Sequence, residues 1–142
     1  YKGEKIGQGR ENAKVYLQKN PNGLEAIVAK NIILNEAGVN HPMYYRKSKT
    51  FSSFCFHYDD TEILPKNTTI LASNEKSKIQ AISFTNEKSQ VWAVQYHPEF
   101  DPLWIAGLMK QREEILIKEG VFSEKKSFYD FFTNKVFKKK EI

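Results

Sequence analysis

Between residues 15 and 97 the chain is a succession of short β-rich runs closed by polar turn residues, and beyond Pro98 the pattern becomes helical. The runs fall at 15–18, 26–34, 51–57, 69–73, 79–84 and 91–96. Their β-branched and aromatic content suits a pleated, half-buried surface. Asn20-Pro21-Asn22-Gly23 is turn chemistry between the first two, so these predict a hairpin. Gly38 and Pro42 keep 35–46 from forming a long helix. Strands dominate residues 15–97, and helices follow.

After the last run, Asp101 is a helix cap, Pro102 suits the first turn and Gly120 marks the end. Leu103, Trp104, Leu108, Ile115 and Leu116 keep near-helical spacing, while Lys110, Arg112, Glu113 and Glu114 suit the wet face. A second helix is predicted after Ser123, with Phe128, Phe131, Phe132 and Phe137 as its packing stripe. At the other end, Gly3, Gly7 and Gly9 lie in a polar stretch that reads as no buried helix. Their spacing fits neither a dinucleotide-binding nor a phosphate-binding loop. We therefore divide the chain into an atypical lead-in, 1–12, and one unit, 13–142, ending in a helical tail.

Composition narrows the function classes. Apolar residues at 40% and charged residues at 27% describe a globular chain, and its 142 residues suffice for one core. No apolar run reaches the ~20 residues that cross a bilayer. A single cysteine excludes an internal disulfide and fits a reducing, cytoplasmic setting. The chain opens at Tyr1, and we expect its reading frame to begin further upstream. Residues 110–142 hold nine Lys/Arg against six Asp/Glu, so most of the net charge of +5 lies there. Lys135, Lys138, Lys139 and Lys140 read as a solvated end, and nucleic acid is not the expected partner.

The stretch most able to do chemistry is Gln95-Tyr96-His97-Pro98-Glu99-Phe100, between an apolar strand and a capped helix. Such strand-to-helix junctions hold the binding crevices of α/β proteins. His97 and Glu99 are two apart, so in extended backbone both leave the same side of the chain. A carboxylate beside an imidazole fixes its tautomer and readies it for proton transfer to or from a nucleophile. Taken alone, the same spacing also fits a surface ion pair.

The wider pattern resembles the class I glutamine amidotransferases. Gln95-Tyr96-His97-Pro98-Glu99 is similar to their Q-[FY]-H-P-E motif. Phe54-Cys55-Phe56-His57-Tyr58-Asp59-Asp60 with Leu64-Pro65 resembles their H-x-D-x-V…L-P segment. Leu71-Ala72-Ser73-Asn74 and Gln80-Ala81 follow in the expected order. The likeness covers roughly 13–117 and points to the stand-alone type related to the amidotransferase half of GMP synthase. It implies a flavodoxin-like three-layer α/β/α domain, incomplete at its N-terminus. The implied reaction is hydrolysis of the glutamine side-chain amide, with ammonia passed to an acceptor or a synthetase partner and no cofactor. In that scheme His97 moves protons, Glu99 orients it, and His57 and Asp59 line or support the glutamine pocket. His57 reads equally well as a satisfied histidine at a strand end.

The resemblance also exposes a departure. The family's nucleophilic cysteine belongs on a glycine-rich elbow upstream of 13–15, where Tyr1-Lys2-Gly3 stands instead. A frameshift or a fused partial frame would account for this. Cys55 lies inside a β-rich run without elbow glycines and reads as a buried structural thiol. The chain is therefore expected to be inactive, or to be a non-catalytic relative that binds a partner. A zinc deaminase, which shares H-x-E, needs a later cysteine pair that one cysteine cannot supply, and no metal site is expected.

Overall fold

A computed structural model describes residues 16–19, 23–131 and 133. The lead-in 1–12, most of the 20–23 turn, and the tail with Phe132, Phe137 and the four terminal lysines lie outside them. The strands are β1 (Tyr16–Lys19), β2 (Glu25–Leu34), β3 (Thr50–His57), β4 (Asp59–Ile63), β5 (Thr69–Ser73), β6 (Ala81–Asn86) and β7 (Ser89–Val94). The helices are α1 (Glu36–Val39), α2 (Pro102–Gln111), α3 (Glu113–Lys118) and α4 (Lys125–Phe131). The α/β reading, strand-rich and then helical, holds.

Five strands form one sheet in the order β3-β2-β5-β6-β7, and β1 pairs with β4 in a separate ribbon. Every pairing among the described residues is antiparallel. The expected hairpin of β1 with β2 does not form. Tyr16 pairs with Ile63 and Lys19 with Asp59, while β2 pairs with β3 along most of its length and with β5 at Ile33 and Leu34.

Strand β2 is the organiser. Its register against β3 shifts between Ala29 and Ile32, where Asn31 has φ 52°. One residue more on β2 than on β3 makes a bulge. Ile27, at φ 70°, is a branched residue in left-handed backbone, a conformation that costs about 1–3 kcal/mol and must be held by its surroundings. On one face of the sheet Ala29, Ile32, Leu34, Cys55, Leu71, Tyr44 and Tyr96 make a buried cluster. On the other, Phe54 and Phe56 meet Ile105, Met109, Leu116 and Phe128 from the helices. Cys55 alternates with its two phenylalanine neighbours, as strand geometry requires.

Asp101 caps α2 through Leu103 and Trp104 N–H, both at 2.8 Å, with Pro102 in the first turn. Gly120, at φ 72°, ends α3 in backbone that favours glycine. The buried stripe is Ile105, Ala106, Met109 and Leu116, whereas Leu103 and Trp104 are exposed. The expected apolar face was thus mis-phased at its start: the capped first turn swings away from the sheet before the helix settles on it. Met109, Leu116 and Phe128 are fully buried, each contributing about 1.5–3 kcal/mol. At Gly38 a Cβ would lie 2.1 Å from the Leu71 carbonyl oxygen, so α1 can touch β5 only through glycine.

Candidate functional site

The segment after β7 crosses back over β3. Gln95 N–H donates to the Gln80 carbonyl at 2.9 Å and His97 N–H donates to the Phe54 carbonyl at 2.7 Å. Tyr96, between them, is buried. This crossing sets His97 beside β3 with its Nδ1 2.6 Å from Glu99 Oε1. The hydrogen bond from His97 holds the Glu99 carboxyl below the usual carboxylate range. Phe100 stacks on the imidazole, with centroids 4.1 Å apart and planes 5° from parallel, and Trp104 stacks on Phe100 at 4.9 Å. Nε2 of His97 has no hydrogen-bond partner among the described residues. The side chain is 35% exposed and lines an open groove of about 300 Å³ with Val28, Ser52, Phe54, Pro98 and Phe100. A ring with one nitrogen engaged, one available and a flat support behind it is arranged for proton transfer.

His57 is placed differently. Its Nε2 lies 2.9 Å from Glu25 Oε2, and its Nδ1 lies 3.0 Å from the Asp59 carbonyl oxygen. Glu25 is buried and also accepts from Asn74 Nδ2 at 2.6 Å and Gln80 Nε2 at 2.7 Å. Asn74 Oδ1 accepts from the backbone of Lys76 and Ser77, and Ser77 Oγ donates to Asp60 at 2.7 Å. Burial alone would raise the Glu25 carboxyl, but the bonds from His57, Asn74 and Gln80 outweigh it and hold the group below its ordinary value. Burial alone would lower His57, but Glu25, the Asp59 carbonyl and the charge of Asp60 outweigh it and raise the imidazole. Gln80 Oε1 is buried without a partner among the described residues.

Asp59 is exposed and enters this network through its carbonyl. The His57 network and the His97 pair share no hydrogen bond. The sequence reading missed Glu25, a lone acid in a β-rich run whose role appears only when three distant donors converge on it. Cys55 is fully buried opposite Ile27, and burial, with the Glu25 charge adding to it, pushes its thiol far above the ordinary range. Among the described residues no three His, Cys, Asp or Glu side chains cluster as a metal site, and no helix is long and apolar enough to cross a membrane.

Comparison with solved structures identifies the fold. A glutamine amidotransferase from Thermotoga maritima superposes with TM-score 0.60 at 17% identity, over 76% of this chain and 43% of its own. The protein SMU.1228c superposes with TM-score 0.59 at 23% identity, over 84% of this chain and 56% of its own. The chain has the glutamine amidotransferase-like α/β fold, in part: it spans about half the length of these two structures. By sequence, residues 1–33 match the RecA C-terminal domain family, a match that lies largely outside the described residues. No curated protein matches the chain.

Proposed function

We propose that the chain carries the His–Glu half of a class I glutamine amidotransferase site of the GMP synthase-like stand-alone type. The carrying observation is the 2.6 Å bond from His97 Nδ1 to Glu99 on a residue that lines an open groove. In the full reaction a thiolate attacks the glutamine side-chain carbonyl, ammonia leaves, and water hydrolyses the resulting thioester. His97 would protonate the departing ammonia and then deprotonate the water, with Glu99 holding its tautomer. The ammonia would pass to an acceptor substrate or a synthetase partner, in a cytoplasmic setting.

The groove has no thiol to work with. Cys55 is the single cysteine of the chain, and it is buried. This favours a second reading, in which the chain as it stands is a non-catalytic amidotransferase relative that binds a partner. The RecA match over 1–33 supports a separate origin for the opening segment, where the nucleophile elbow would otherwise belong. Glutamate release from glutamine tests whether this chain is catalytic, with His97→Ala as comparison. No release from either protein is expected. Release by the parent that His97→Ala abolishes would reveal a nucleophile within this chain and sink the non-catalytic reading.

A further inference from the structure

We propose that Tyr44 is a positioning residue for His97, acting through its buried hydroxyl contact with Tyr96. The proposal rests on the reading of His97 and Glu99 as a proton-handling pair. The crossing segment is tied by backbone on either side of Tyr96, at Gln95 and at His97. Between those ties the Tyr96 side chain enters the sheet face opposite the helices, meeting Phe51 edge-on at 5.6 Å and 81°. Its hydroxyl lies 2.8 Å from that of Tyr44, and both residues are about 5% exposed.

Tyr44 is itself fixed. It ends the short 3-10 turn Pro42–Tyr44, its N–H donates to the His41 carbonyl at 2.9 Å, and its carbonyl accepts from Lys47 at 2.8 Å. Its ring also packs on Phe51 at 5.9 Å.

Phenylalanine at either position would fill nearly the same volume. The two hydroxyls therefore add direction and not bulk: one bond sets how deep the Tyr96 ring sits and how it turns. Residues alternate along extended backbone, so seating Tyr96 inward aims His97 outward over the groove. The contacts that depend on this aim are short. A shift of about 1 Å at residue 96 would break the 2.6 Å bond to Glu99 and disturb the 4.1 Å stack on Phe100. The bond spans 52 positions in sequence and ties the turn after α1 to the pair. Burial raises the ionisation of both phenols, with the contact adding to it at Tyr44 and working against it at Tyr96, so the bond persists as a neutral one across ordinary pH.

The test is NMR of the His97 ring in the full chain. In the parent, its carbon-bound protons should move upfield under the Phe100 ring, and its ¹⁵N shifts should show the Nδ1-protonated tautomer facing Glu99. Tyr44→Phe, Tyr96→Phe and the double variant should each lose the upfield shift by the same amount, since all three remove one bond. If Tyr44→Phe fails to fold, Tyr96→Phe reads the same bond. Unchanged His97 signals in the single variants would overturn the proposal, and so would losses that add in the double variant. Glu99→Gln tests the underlying reading separately. It should change the tautomer signature, and an unchanged signature there would sink the pair, leaving Tyr44 to be judged on the ring-proton shift.

Discussion

The molecule contains two histidine–glutamate pairs whose surroundings are opposite. Glu25 on β2 and His57 on β3 are 4% and 11% exposed, with both ring nitrogens and both carboxylate oxygens engaged. His97 and Glu99 lie at the rim of a groove, with 35% and 63% of their side chains exposed and one ring nitrogen available. A pair with every ring nitrogen and carboxylate oxygen engaged can brace a sheet, but it has little to offer a substrate. A pair left half-satisfied on a firm support can exchange protons. In the two pairs the residue types are the same and the surroundings assign the work.

The largest expected effect comes from emptying the buried pair. Glu25→Ala strands a raised imidazole and two amide donors away from water, so unfolding stability should fall by about 3–5 kcal/mol. Glu99→Ala should leave the denaturation midpoint unchanged. Equal losses in urea titrations of the two variants would break the comparison.

A smaller effect is expected from pH. His57 is raised in the fold, so its contribution is complete below the unfolded value of about 6.5 and is lost as pH climbs through the folded one. Glu25 is lowered, so its contribution is present above about 4.5 and is lost as pH falls through its folded value. The melting midpoint should therefore be highest between these limits, and His57→Gln should flatten the alkaline decline. A decline that survives in that variant would show that another group carries it.

The smallest effect is expected at Cys55, which shares the sheet face of the buried pair. Iodoacetamide should not label it at a measurable rate until the chain unfolds, since the thiol is buried and its thiolate disfavoured. Rapid native labelling that glutamine suppresses would move the chemistry away from the rim.

Local features were legible in the sequence. The cap at Asp101, the stop at Gly120 and the exposed pair at His97 and Glu99 depend on neighbours within a few positions, and the sequence shows neighbours. What failed was non-local. Glu25 draws its partners from positions 32, 49 and 55 residues away, which no spacing rule announces. β1 is expected to pair with the strand nearest in sequence, whereas it pairs with β4, about 40 residues further along. The start of α2 was mis-phased because Leu103 and Trp104 are apolar but belong to the aromatic rim beside Phe100, and not to the core.

The bulge at Asn31 has a consequence for parity. A strand gives alternate residues to alternate sides, so three steps from Ala29 should put Ile32 on the wrong side of the sheet. The extra residue cancels that odd step: Ala29, Ile32 and Leu34 share one core, while Ile33 stays 46% exposed. Straightening the bulge with every residue kept would leave composition and hydropathy untouched, yet it would exchange Ile33 for Ile32 and Leu34 across the sheet, whereas deleting Asn31 would keep their sides. The fold thus depends on β2 absorbing its odd residue in a bulge, a dependence that lies in counting and not in chemistry.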